Sequence, residues 1–307
     1  MFGGMKLIKE NLREQELTLE NNSRKYTINN ILNPKWILIL IPMLFIVLFT
    51  FIPILKLFKL SFVDQNGFTL KYLSQVFTEK VYFQVILLTL KTGFIITILS
   101  ILLAYPVAYF LVKTKSAKLK KFILLVIMIP FWISLLVRTF SWIIILQDQG
   151  ILNSFLIYIG LINKPIHLLY NGISVTIGMV HVLFPFMVLN IYSSMESIDM
   201  QLVQVAEVMG AKPMRAFWGI FFPLSVPGIL SGSIIVFVLS LGYFITPSLL
   251  GGSQNMVIST LIQNNISATL NWPLAASLAL VLFIITMILL VILALLMKKN
   301  HMIGDES

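Results

Sequence analysis

The stretch QVAEVMGAKPMRAFWGIFFPLSVPG, residues 204–228, holds one acid, two bases, three glycines and three prolines between two long apolar runs. Such residues are scarce in this chain: of 307 residues 11% are charged and 58% hydrophobic, and the mean hydropathy is +0.96. A soluble domain of this length cannot hide that much apolar surface, so the chain reads as an integral membrane protein and 204–228 as a break in its hydrophobic pattern. The net charge of +10 would suggest nucleic acid if the bases formed a patch, but 15 of the 22 fall in four segments outside the apolar runs. Determinants of membrane orientation are distributed in this way. Cysteine is absent, which excludes disulfides, thiolate metal sites and cysteine nucleophiles. Residues 1–35 are polar and lack an apolar h-region, so they read as a flexible N-terminal tail and not as a cleaved signal peptide.

A helix needs about 20 mostly apolar residues to cross a hydrocarbon core of about 30 Å. Six segments qualify: Trp36 to Leu60, Val85 to Val112, Phe122 to Gln147, Ile173 to Tyr192, Gly228 to Leu250 and Leu274 to Met297. The runs are continuous where barrel strands would alternate, so the expected fold is all-α with six transmembrane helices. Prolines 42, 53, 106, 130, 185 and 247 fall inside them and should kink them. The segment KTKSAKLKK, 113–121, has five lysines and no acid and is expected in the cytoplasm, whereas 251–273 has no charge and is expected outside. Both termini, with the 298–307 tail, and the 193–227 loop then fall on the cytoplasmic side.

Within that loop, Met200 to Met209 reads as a short amphipathic helix. Leu202, Val205, Ala206 and Met209 lie on one side; Gln201, Gln204 and Glu207 lie on the other. Gly210 is placed to cap it in a left-handed conformation. Pro213 suits the first turn of a second helix with Phe217, Ile220 and Phe221 as an aromatic face, which Pro223 and Pro227 should end before the fifth span. Pattern alone leaves open whether this helix-turn-helix is held by a protein or lies on the lipid.

The spacing resembles the EAA motif of permease subunits of binding-protein-dependent ABC importers, EAA-x3-G-x9-I-x-LP. Gln204, Val205 and Ala206 stand at the EAA positions, Gly210 at the glycine, Ile220 at the isoleucine, and Phe222 and Pro223 at LP. The departures are Gln204 for Glu, Val205 for Ala and Phe222 for Leu; Glu207, one turn on, is the carboxylate that could stand in for the missing one. The stretch PFWISLLVRTFSWIIILQDQGILN, 130–153, and the stretch LLGGSQNMVISTLIQNNISATLNWPLAASLAL, 249–280, are similar to the spermidine/putrescine branch of that family, with Asn271 where Asp is common. The branch also carries iron, opines and other solutes. The resemblance runs from about residue 36 to the C-terminus. It implies a type I ABC importer permease fold in the bacterial cell membrane and a coupling loop that docks on a cytosolic ATPase. The implied partners are a second permease chain, two ATPase subunits that use ATP, and an external substrate-binding protein.

The chain itself offers little chemistry. It has no G-x-x-x-x-G-K-[ST] for phosphates and no H-E-x-x-H, so it is expected to bind no cofactor or metal and to have no catalytic residues. His181, inside the fourth span, reads as a hydrogen-bonded packing residue ahead of a proton relay. Arg138 is read either as a gate or as an anchor paired with carbonyls or Asp148. Asp148, at a span's edge, is as close as any acid comes to the membrane interior. A cation would meet Trp132, Ser134, Trp142, Tyr243 and Thr246, which with Arg138 are the candidate pore or gate residues. Gly228 and Gly232 are spaced for close helix packing. An ion-coupled secondary transporter would place ionisable groups at the midplane, which these spans lack. A membrane scaffold would leave the G-x9-I-x-x-P spacing unexplained.

Overall fold

The structure is a computed structural model that describes residues 34–64, 67–252 and 255–304. Nearly all of the tail expected at 1–35 lies outside the described residues. The chain divides after Lys59. In the first unit, helices α1 (Pro34–Ile46) and α2 (Ile52–Lys59) are joined by a π-helical turn, Val47–Phe51. Pro53 has no N–H to return to Phe49, and the ladder lengthens to absorb the gap.

The second unit opens with a small antiparallel hairpin, β1 (Val63–Asp64) and β2 (Gly67–Phe68), in which Val63 faces Phe68. Helices follow in order: α3 (Lys71–Thr78), α4 (Lys80–Lys113), α5 (Ala117–Trp132), α6 (Leu135–Leu146), α7 (Ile151–Tyr158) and α8 (Gly172–Glu196). Then come α9 (Met200–Val208), α10 (Pro213–Ala216), a π-helical turn at Phe217–Phe221, α11 (Phe222–Gly242), α12 (Ile245–Leu250), α13 (Ile258–Ser267) and α14 (Trp272–Gly304). Helix α14 runs through Lys298 and Lys299, so the tail expected from 298 is helical to Gly304.

Among the described residues six helical segments are long and apolar enough to cross a membrane. Two differ from the sequence expectation. The run Phe122 to Gln147 is broken: α5 ends at Trp132, Ile133 and Ser134 are extended, and the long apolar segment is Leu135–Tyr158. Pro130 withholds the N–H that Val126 would accept, and within one turn the Ile133 N–H reaches back only to the Pro130 carbonyl at 3.3 Å. The fifth segment starts earlier than expected. Pro223 and Pro227 do not end the preceding helix; one helical column runs from Pro213 to Gly242. The π turn makes this possible, because the Phe222 N–H bonds to the Phe217 carbonyl five residues back just where Pro223 has no donor.

The core is the packing of α4, α8 and α11. Helix α8 is the central one: Met179, Leu183, Met187, Ile191 and Met195 are fully buried. Between apolar helices in lipid, close packing rather than water exclusion holds the bundle, so small residues decide the approach. A Cβ on Gly228 would collide with Ser194, and one on Gly232 would come within 2.8 Å of the Met187 sulfur. A second cluster joins Val76, Ile86, Ile258, Leu274, Leu278 and Val281 from α3, α4, α13 and α14. The Ile258 N–H donates to the buried Thr89 hydroxyl at 2.8 Å, which ties α13 to α4. Lys120 meets Glu196 at 2.7 Å, so the lysine segment 113–121 and the start of the 193–227 loop share one end of the bundle. The Glu196 carboxylate and then the Tyr192 hydroxyl hold the Lys120 ammonium above the ordinary lysine range.

Candidate functional site: the loop at the lysine end

Helix α9 starts on Asp199, whose carboxylate accepts the Gln201 N–H at 2.9 Å. It stops at Gly210, which has φ +93°. The Gly210 N–H returns to the Glu207 carbonyl and the Ala211 N–H to the Ala206 carbonyl, both at 3.0 Å. This pair of bonds is a Schellman ending, so the expected left-handed cap is present. An added Cβ at Gly210 would touch nothing within 4 Å, so glycine is required there by conformation and not by crowding.

The face that α9 turns inward differs from the one expected. Met200, Val203 and Ala206 are half-buried, while Leu202, Val205 and Met209 are exposed. The inward set follows from what receives it: Met200, Val203 and Glu207 line a cavity of about 340 Å³ with Tyr109, Lys113, Met214, Phe217 and Phe221. Gln204 and Glu207 are exposed, as are Phe222's neighbour Pro223 and the bend itself. The most exposed apolar side chains around the bend are Val208, 87% exposed, and Met209, 84% exposed. Met214 and Trp218 share a second, open cavity with Lys212 and Arg215.

What holds the loop to the spans was not read from the sequence. Tyr109 of α4 stands edge-on to Phe217 and Phe221, with centroids 5.2 and 5.1 Å away, and Tyr105 meets Phe217 and Phe222. The Tyr105 hydroxyl lies 3.0 Å from the buried Ser225 hydroxyl. Lys113 caps the stack, its ammonium 4.8 Å from the Tyr109 ring. The signal was the i, i+4 pair Tyr105 and Tyr109 facing the i, i+4 pair Phe217 and Phe221. Ile220 and Phe222 are half-buried beside it.

The candidate pore residues do not form one group. Trp132 is 88% exposed and Ser134 is exposed beside it, at the break between α5 and α6. Trp142 donates its indole N–H to His181 Nδ1 at 3.3 Å, so that histidine is hydrogen-bonded. Arg138 is half-buried on the same helix, and its Nε is buried without a hydrogen-bond partner. Asp148 does not serve it; that carboxylate is taken by His167. Tyr243 lines an apolar cavity of about 400 Å³ with Leu135, Gly242 and Phe244. Thr246, expected on the pore, is fully buried 3.4 Å from the Thr139 hydroxyl, with its methyl over Gly178. Among the described residues no three His, Asp or Glu side chains come together in a manner that could hold a metal.

A helical membrane bundle with a capped helix in a loop at one end is the architecture of a polytopic membrane protein. Residues 100–300 match the family described as binding-protein-dependent transport system inner membrane component, and the chain belongs to that family. It is a multi-pass inner-membrane protein. The spermidine/putrescine transport system permease protein PotB of Salmonella typhimurium (strain SL1344) is 34% identical over 272 residues, covering 85% of this chain and 94% of that protein. The protein of that name from Escherichia coli (strain K12) is 33% identical over 255 residues, 80% and 92% of the two chains. Among solved structures, a bacterial alginate ABC transporter in complex with an alginate pentasaccharide-bound periplasmic protein includes a chain with TM-score 0.71 and 18% identity. The match covers 86% of this chain and 95% of that one, a likeness of fold.

Proposed function

We propose that this chain is a permease subunit of an ABC importer for polyamines, with the 200–223 loop as the contact through which a separate ATPase drives it. The lysine segment 113–121 and both chain termini then face the cytoplasm, and 251–273 faces out. The observation that carries the reading is the turn at Gly210: its backbone is satisfied internally, yet Val205, Val208 and Met209 are left in the open. Apolar side chains presented on a rigid turn outside the lipid span call for a protein cleft. Gln204 and Glu207 on the same short helix supply polar contacts at its rim.

ATP is bound and hydrolysed on the ATPase subunits, and a second permease chain completes the pathway. An external binding protein delivers the solute. Spermidine and putrescine follow from the PotB relatives, which match over most of both chains. The assembled complex, reconstituted in vesicles with its binding protein, should take up labelled spermidine only while ATP is hydrolysed. Uptake that survives complete inhibition of the ATPase would refute the reading.

A further inference from the structure

We propose that a cavity at the end opposite the lysine segment is a subsite for an aliphatic organic ammonium ion, held on the Asp148 carboxylate. The proposal deepens the polyamine reading and rests on it. The cavity is about 430 Å³, within the range of about 300–1,000 Å³ usual for small-ligand pockets. Asp148, Gln147 and Gln149 supply its acceptors, Leu169 and Tyr170 its apolar wall, and His167 its rim. A flexible diamine or triamine needs that set: an anion for one ammonium, neutral amide oxygens for further N–H groups, and apolar or aromatic surface for the methylenes.

The cavity is built and not merely left between loops. Asn153, fully buried, accepts the Ile166 N–H at 2.9 Å and donates to the Ile166 carbonyl at 3.0 Å. It also donates to the Gln147 carbonyl at 3.3 Å, so one side chain fixes both walls. Asn171 donates to the His167 carbonyl at 2.9 Å while capping α8. Between them Tyr170 is held at φ +59°, a left-handed conformation that a side chain of its size adopts only when its surroundings impose it. Residues held in this way recur at ligand clamps.

Asp148 is occupied by a partner that a cation can replace. His167 Nδ1 lies 2.8 and 2.9 Å from the two carboxylate oxygens, but the imidazole is 84% exposed. An exposed pair of this kind contributes little and gives way to a better donor. Asp148 lies in the turn that follows α6, and the next charge back along the chain is Arg138 on that helix, of opposite sign, which opposes the onward movement of a cation from Asp148.

The test uses the assembled complex in vesicles, saturating loaded binding protein and labelled spermidine, with uptake and stimulated ATP hydrolysis read together. Asp148→Asn should lower uptake about tenfold or more, the range of one charged hydrogen bond, while stimulated hydrolysis persists. Asp148→Glu should restore most of it. His167→Ala should raise uptake, because the carboxylate loses its competitor. If Asp148→Asn transports like the parent, or if His167→Ala falls as far as Asp148→Asn, the pair is only a strap and the subsite is refuted. Loss of stimulated hydrolysis in step with uptake would make Asp148 a docking contact, which also refutes it. A parent complex whose hydrolysis is stimulated but which takes up no spermidine would overturn the polyamine reading itself.

Discussion

Around Gly210 the chain reverses on main-chain hydrogen bonds alone, and the side chains of the turn stay free. At the other end the connection from α7 to α8 is held by a buried side chain, Asn153, that grips Ile166 and Gln147 from inside. A turn closed by its own backbone can offer Val205, Val208 and Met209 to another protein without loosening. A loop closed by a buried amide has its polar groups committed inward and shapes a cavity of its own. The two ends therefore differ in what a mutation should break: shape at the Asn153 end, partnership at the lysine end.

The largest effect is expected from Asn153→Leu. It removes the acceptor of the Ile166 N–H and the donor to two carbonyls, part-buried bonds whose loss costs up to about 1–3 kcal/mol for a group that water cannot reach. The 159–171 connection should become protease-sensitive while the ATPase still co-purifies; protection equal to the parent would show that the loop does not depend on this residue. Next comes Gly210→Val, which forces a β-branched residue to φ +93° at a cost of about 1 kcal/mol or more. Expression should survive and ATPase co-purification should drop. Gly210→Asn should be milder, because asparagine tolerates left-handed backbone. Equal losses for Val and Asn would place the requirement in size, contrary to the open space around that Cβ.

Smaller effects sharpen the contrast. Glu207→Ala should reduce coupling modestly, measured as uptake per ATP hydrolysed, and Gln204→Glu in that variant should recover it if one carboxylate on α9 suffices. Lys120→Ala removes the exposed pair with Glu196 and should cost at most about 1 kcal/mol in thermal stability. Because the ammonium is held above its ordinary range and the Glu196 carboxyl below its own, that contribution is complete at neutral pH; it is lost as pH rises through the raised lysine value and as pH falls through the lowered carboxyl value.

The part of the fold that repeats locally was legible in the sequence. Six apolar runs, the α9 helix and the Gly210 cap each rest on a few adjacent residues, and the EAA-like spacing joined them. What escaped depends on contacts between distant residues. The inward face of α9 is one of these, set by Tyr109 and Phe217 rather than by the helix's own pattern, which pointed to Leu202, Val205, Ala206 and Met209, of which only Ala206 turns inward. Pro223 gave a second misreading. A proline rule that ends helices does not foresee a π turn that skips the missing donor. Asn153 lay in a stretch already marked by likeness and Asp148 was weighed as a partner for Arg138, but their real partners, Ile166 and His167, escaped because nothing next to them in sequence marks what they reach.

On the proposed function the exposed face of α9 sits in an ATPase cleft. The chain has no cysteine, so single cysteines report cleanly. Val208→Cys and Val205→Cys lie on the exposed face, and Val203→Cys on the inward one. With a short bifunctional crosslinker applied to the assembled complex, the first two should join the ATPase subunit and Val203→Cys should not. No ATPase adduct from Val208→Cys or Val205→Cys, in a complex that still transports, would contradict the docking of this loop.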